Sequence, residues 1–190
     1  MKQSWIWRVA LLAAALQLAG CVPVAAVGVG TGVAVATDRR TSATYLSDSE
    51  IELRASGRIN ANFSSDKVHV NASSFNRTVL LTGQAPDDAT RQQIADLMDK
   101  VPDVNKVIDQ IAIGAPTDFS TRSNDVYLSA RVNARLMDDG RVPLGAIKIE
   151  TENGVVYLMG FVSQQEGDIV ANIASGTPGV HSVVKLFEYH

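Results

Sequence analysis

Tyr127, Arg131 and Arg135 fall at i, i+4 and i+8, so on an α-helix they share one stripe. Two guanidiniums can each grip phosphate oxygens through paired N–H groups. A tyrosine beside them has an apolar body and a polar tip, which suits a bilayer interface. Arg141 and Lys148 could extend this patch, though weakly, because Asp138 and Asp139 sit near them. The other reactive feature is Cys21, the single cysteine of the chain. A lone thiol cannot close an intramolecular disulfide, supply a CxxC pair or complete a cysteine metal site, which leaves covalent attachment as its chemistry.

Enzymatic chemistry finds little support. His69, His181 and His190 are scattered, and His69 reads as an outward residue on a strand. There is no HExxH, GxSxG or P-loop, and no cysteine with a catalytic partner. Asp87 with Asp88, and Asp138 with Asp139, are sequence neighbours that read as a helix start and a loop. The expectation is no enzyme, no metal site and no cofactor other than a lipid on Cys21.

The residues before Cys21 say how such a lipid would arrive. Lys2 and Arg8 make a positive n-region, Val9 to Leu16 an apolar segment, and small residues precede the cysteine, as in a secretory signal. Leu18-Ala19-Gly20-Cys21 resembles the bacterial lipobox, whose cysteine is lipidated and becomes the first residue after cleavage. That resemblance implies a signal peptide over 1–20 and lipidation of Cys21. With Val22 rather than aspartate next, it also implies an address on the periplasmic face of the outer membrane. A transmembrane helix is the competing reading, but Gln17, Pro23 and glycines at 28, 30 and 32 interrupt a span that needs ~20 apolar residues. The apolar stretch 22–36 reads as a spacer with shallow membrane contact.

Charge narrows the partners. The chain has 17 basic and 20 acidic side chains; residues 1–20 hold two basic ones and no acid, so the rest carries 15 against 20, a net −5. Bulk attraction to nucleic acid or to an anionic bilayer is therefore not expected, and an anionic ligand must be met by a local patch.

The elements that would position these residues occur twice. Ala55–Phe63 (ASGRINANF) matches Leu128–Leu136 (LSARVNARL), Thr78–Ala85 matches Val155–Val162, and Val101–Val104 matches Thr177–Val180, at offsets of 73, 77 and 76. These offsets predict a longer loop after the first helix of the second copy. Leu128, Val132 and Leu136, like Ala55, Ile59 and Phe63, have the spacing of an inward helical stripe. Val68 and Val70, and Ile147 and Ile149, alternate with polar residues as half-buried strands do. Asn153-Gly154 is a hairpin turn signal, Ser163 and Glu166 a capping box, and Pro86 with the two acids after it a first helical turn. Val104–Ile113 and Val180–Tyr189 read as the closing strands. Each copy reads helix, strand, strand, helix, strand, an α+β unit with a three-stranded sheet under two helices. Copies this small are marginal alone, so packing against each other would help.

This order of elements, the strand-end Gly83 and Gly160 and the tandem arrangement resemble the BON domain. With the lipobox, the leader ending Thr37-Asp38-Arg39-Arg40, and the stretches Ser123-Asn124-Asp125 and Thr151–Val155, the chain resembles the dual-BON outer-membrane lipoproteins of the DolP/YraP group. The resemblance implies a lipidated leader over 21–46, BON domains over 47–115 and 123–190 and a linker over 116–122, with Gly83 and Gly160 as structural glycines. It also implies binding of anionic phospholipid, chiefly phosphatidylglycerol, by the first helix of the second domain, where Tyr127 stands at a place usually held by tryptophan. Roles in envelope integrity and cell division follow from the same likeness, with palmitate among the lipids on the cysteine. In the first copy Arg54, Arg58 and Asn62 align with the stripe, near Glu50 and Glu52, so the second copy is expected to face lipid. The alternative is a scaffold that engages a protein partner, such as the β-barrel assembly machinery or a division-site protein, with Tyr127 packed on the other domain.

Overall fold

The computed structural model describes residues 38–190; the signal peptide, Cys21 and most of the leader lie outside the described residues. The first copy runs α1 (Ser42–Asn62), β1 (His69–Phe75), β2 (Thr78–Ala85), α2 (Asp88–Met98) and β3 (Lys106–Ile113). The second runs α3 (Phe119–Asp139), a single 3₁₀ turn (Leu144–Ala146), β4 (Ile147–Glu152), β5 (Val155–Val162), α4 (Gln164–Ser175) and β6 (Ser182–Tyr189). The fold is α+β, with two three-stranded sheets ordered β1-β2-β3 and β4-β5-β6. In each, a hairpin gives the antiparallel pair and a helical crossover the parallel one. Helices α1 and α3 start at Ser42 and Phe119, inside the stretches read as leader and linker.

Local chemistry accounts for the boundaries. Thr41, Asp87, Asp118 and Ser163 each cap a helix by accepting a backbone N–H from the first turn. Ser163 and Glu166 complete the capping box expected from their spacing. Asp87 is the cap and Asp88 the first helical residue, so Pro86 precedes the helix instead of opening it. Asn153 and Gly154 both have positive φ, as a type I′ turn requires, and Asn76-Arg77 makes the same turn in the first copy. Gly83 lies inside β2 at φ +121°, where an added Cβ would stand 2.0 Å from the His69 carbonyl oxygen. At Gly160 a Cβ would meet the Ala146 carbonyl oxygen at 2.7 Å. Both strands run on for two residues past their glycine, so neither glycine ends its strand.

Every strand of the two hairpins has one face against its own helices. Val79, Leu81 and Ile111 pack with Ile51, Ala55, Ile59 and Ile94; Val156, Leu158 and Val162 pack with Val132, Leu136 and Val170. The opposite faces meet each other. Phe75 and Leu80 of the first sheet form one cluster with Tyr157 and Met159 of the second, flanked by Ile108, Val184 and Leu186. Alternation holds at the start of β1, with Val68 buried and Lys67 and Asn71 exposed, but from Ala72 to Phe75 every residue is buried, because a second sheet covers the face that alternation would leave wet. Polar pairs rim this cluster, Gln84 donating to Glu152 at 2.7 Å and Asn76 to Glu188 at 2.6 Å. Burial, with the Glu152 carboxylate nearby, pushes the Tyr157 hydroxyl pKa up.

The repeat register also needs correction. The buried residues of α1 are Asp48, Ile51, Ala55 and Ile59, and those of α3 are Asp125, Leu128, Val132 and Leu136. They correspond at one constant offset of 77, the offset that also relates the hairpins. The offset of 73 slipped one helical turn, and there is no longer loop after α3. An amphipathic helix looks like itself when shifted by four residues, so periodicity alone does not fix its register.

Candidate membrane-facing helix

Helix α3 turns Leu128, Val132 and Leu136 into the core, as their spacing predicts. Its outward side is the unexpected one. Phe119, Val126, Tyr127 and Met137 are exposed, at 78%, 72%, 58% and 66% of their full areas. Ala130 and Ala134 lie between them, also exposed. At 100° per residue these six positions share the side opposite the core. Water-facing helix surfaces are normally polar; on this side Ser123 is the one polar position among the apolar ones.

The three residues singled out by sequence lie on one flank of that side. Arg131 stacks over the Tyr127 ring at 5.5 Å and donates to the Pro178 carbonyl at 3.1 Å. Arg135 donates to the Gly176 carbonyl. Both guanidiniums are thus steadied by neutral oxygens, with no carboxylate bonded to either among the described residues. Tyr127 is exposed and does not pack on the first domain. Lys148 does not extend the patch: it faces the first domain and bonds Glu52 and the Ser74 carbonyl. Arg141 is bonded twice to Asp139 at 2.7 Å and adds little free charge.

With the register corrected, Glu50, Arg54 and Arg58 of α1 correspond to Tyr127, Arg131 and Arg135. Arg54 is bonded to Glu50, so its charge is answered within α1. Ser42, Ser49 and Asn60 stand where α3 has Phe119, Val126 and Met137. Leu46 and Leu53 are exposed on α1, and Arg58 beside them donates to the Lys100 carbonyl at 2.9 Å, as Arg135 does to Gly176. The copies therefore share both arginine positions and differ in Glu50, which answers Arg54 where α3 has Tyr127, and in the exposed Phe119, Val126 and Met137. Phe119, Val126 and Met137 escaped sequence reasoning because attention fell on the charged stripe; a count of apolar residues on the helix side opposite Leu128 was the signal to find them.

Two further carboxylates also escaped notice. Asp125 accepts the backbone N–H groups of Asn153 and Gly154, each at 2.8 Å, and Asp48 does the same for Asn76 and Arg77 at 2.8 and 2.7 Å. Each is almost fully buried and spent on holding its hairpin turn, which gives the Ser123–Asp125 and Thr151–Val155 stretches a structural meaning. Asp48 also takes the Arg40 guanidinium at 2.7 Å, and Arg40 lies 3.9 Å over the Phe75 ring. Arg39 turns to the second domain, meeting Glu166 at 2.6 and 2.8 Å and the Phe161 carbonyl at 3.2 Å. Asp38, Arg39 and Arg40 thus tie the end of the leader to both copies.

Comparison with known proteins fits this duplicated architecture. The model of the BON domain matches residues 47–115 and again 124–190. The chain belongs to the BON-domain family. It is 34% identical over 180 residues to "Outer membrane lipoprotein DolP" of Haemophilus influenzae, covering 94% of this chain and 93% of that one. It is 26% identical to a "21 kDa hemolysin" of Actinobacillus pleuropneumoniae, over 80% of this chain and 79% of that protein. It is also 25% identical to "Osmotically-inducible protein Y" of Escherichia coli, over 73% of this chain and 71% of that one. In BON-domain terms the apolar helix side belongs to the second domain, the buried aspartate and its turn are built into both, and the two sheets form the contact between them.

Proposed function

We propose that this is an outer-membrane lipoprotein, held on the periplasmic face by a lipid on Cys21, whose second BON domain docks on anionic phospholipid through α3. One observation carries the reading: the outward side of α3 is apolar from Phe119 to Met137 except at Ser123, and is flanked by Tyr127, Arg131 and Arg135. Such a helix lies in the plane of a bilayer, its apolar side among the upper acyl chains and its guanidiniums on phosphates. Partial burial of four large side chains contributes on the order of a few kcal/mol, and the two arginines about 1 kcal/mol each near an anionic surface. The likeness to a DolP named as an outer-membrane lipoprotein supports the address. Docking by α3 supports a part in outer-membrane maintenance, with the lipid on Cys21 giving attachment and the helix giving preference for anionic patches.

The test is vesicle binding by a soluble form spanning residues 38–190, which retains the Arg39 and Arg40 bonds. Phosphatidylglycerol vesicles should bind it more tightly than phosphatidylcholine vesicles, and Tyr127→Ala with Arg131→Glu should abolish the difference while the protein stays folded. Unaltered binding by the double variant would sink the proposal. In cells, Cys21→Ala should release a folded protein from the outer membrane; membrane retention of that variant would refute lipid anchoring.

A further inference from the structure

The two copies differ at a second place, the free edge of the first strand of each hairpin. β1 and β4 are edge strands. In a two-residue hairpin the residues flanking the turn form a hydrogen-bonded pair, and every second pair after it does too. In the first copy that pair is Phe75–Thr78, so Ser74 directs its N–H and C=O outward. Both are occupied: Glu52 of α1 accepts the Ser74 N–H at 2.6 Å, and Lys148 reaches the Ser74 carbonyl. A carboxylate and an ammonium close the edge at Ser74, the first outward residue before the turn.

In the second copy the flanking pair is Glu152–Val155, so Thr151 and Ile149 direct their backbone groups outward. The residue equivalent to Glu52 is Ser129. It is too short to cap the backbone and bonds the Thr151 hydroxyl instead, at 2.8 Å. Among the described residues, no side chain or loop backbone bonds the outward N–H or C=O of Ile149 or Thr151. This open edge lies along a cleft of about 430 Å³. Arg122, Asp125, Val126 and Ser129 of α3 line one wall, Arg122 bonded to the Thr117 carbonyl and Asp125 to the turn amides; His69 and Asn71 of β1 line the other, and Ile149–Glu152 run between them. Lys148 and Glu152, on the side of β4 that faces the first domain, are bonded to Glu52 and Gln84. Glu150, on the same side, has no bonded partner among the described residues.

We propose that β4 is an acceptor edge for one extended segment of a partner protein, which adds as a strand beside it. The outward N–H and C=O of Ile149 and Thr151 supply main-chain hydrogen bonds, which give such additions their affinity. Alternate side chains of the segment meet two walls: apolar ones lie toward Ile149 and Val126, and a lysine or arginine faces the Glu150 carboxylate. Proteins usually blunt free edges to prevent such pairing. Here the first copy has the blunting residue and the second lacks it. The inference does not depend on lipid binding, since it rests on the strand edge rather than on the exposed side of α3.

The experiment pans a phage-displayed library of random octapeptides against the full chain in detergent micelles. Enriched peptides should alternate apolar and polar residues and carry a basic residue. Bound, they should protect the Ile149 and Thr151 amides from hydrogen exchange. Ser129→Glu recreates the first copy's plug and should weaken their binding at least tenfold, and Glu150→Lys should turn the selection toward acidic peptides. If Ser129→Glu fails to fold, Thr151→Pro removes the same donor on an edge that tolerates proline. A selection with no binder sensitive to the plug, or binders that protect other amides, would overturn the proposal. So would self-association of the wild type that the plug abolishes, since the occupant would then be a second copy of this chain.

Discussion

Arg39 grips Glu166 through two parallel contacts of 2.6 and 2.8 Å, joining the end of the leader to the first turn of α4. Hydrogen bonding from Arg39 outweighs the opposing effect of burial, and the Ser163 N–H adds to it, so the Glu166 carboxyl titrates at about 2 instead of 4.5. A group whose pKa is depressed on folding stabilises the fold above its unfolded value and loses that contribution as pH falls through the folded one. Glu166→Gln should therefore flatten the loss of thermal stability between pH 4.5 and 2 relative to wild type. At pH 7 it should lower Tm by a few degrees at most, about what an ion pair near the surface contributes. Thermal unfolding by circular dichroism over this pH range checks both.

The apolar side of α3 makes a prediction that charge alone does not. Phe119→Ser with Met137→Ser leaves every charge in place and should weaken binding to phosphatidylglycerol vesicles about tenfold or more. Leu53→Ser, at an exposed leucine of α1, should leave it unchanged. Co-sedimentation of the soluble form with vesicles at two salt concentrations separates the effects, because loss of Arg131 changes the salt dependence and loss of Phe119 does not.

Asp125 is held by two turn amides in a site only 4% exposed. Asp125→Ala leaves those N–H groups without an acceptor and should cost about 2–4 kcal/mol, the range for a buried charged acceptor with two donors. Asp48→Ala should cost at least as much, since Arg40 and the Ser74 hydroxyl lose a partner as well. Urea unfolding with an unchanged m-value checks the pair.

Leu80 faces the second domain, so its truncation tests whether the copies stand or fall together. Leu80→Ala should destabilise by about 2–5 kcal/mol, as core leucines do. Secondary structure and tyrosine fluorescence, to which Tyr157 at the sheet contact contributes, should change in one coincident transition in wild type and variant alike.

Where sequence reasoning succeeded, local physics dictated the answer. The Asn153-Gly154 turn, the Ser163–Glu166 capping box and the inward Leu128 stripe each depend on residues a few positions apart. It failed where the deciding neighbour was remote. Nothing near Ser73 announces that a second sheet will bury it, and nothing near Lys148 names Glu52 as its partner. The slip of one turn between α1 and α3 has another origin, a helical pattern that repeats every four residues; the buried aspartate before each stripe fixes the register. Within the site, Tyr127, Arg131 and Arg135 were legible from spacing, whereas the Phe119–Met137 side needed the core direction to be known first.

The cluster of Phe75, Leu80, Tyr157 and Met159 has a consequence for biosynthesis. A chain is made from its amino end, so the first copy exists for a time without the strands that cover Leu80 and Phe75. In that interval it carries an exposed, apolar β-surface, the kind of intermediate that aggregates or needs a chaperone's protection. The hazard ends only when β6, the last of these six strands, brings Val184 and Leu186 to the seam. Premature termination between Ile113 and Ser182 would thus yield not a working half of the protein but a fragment with a sticky, uncovered β-surface.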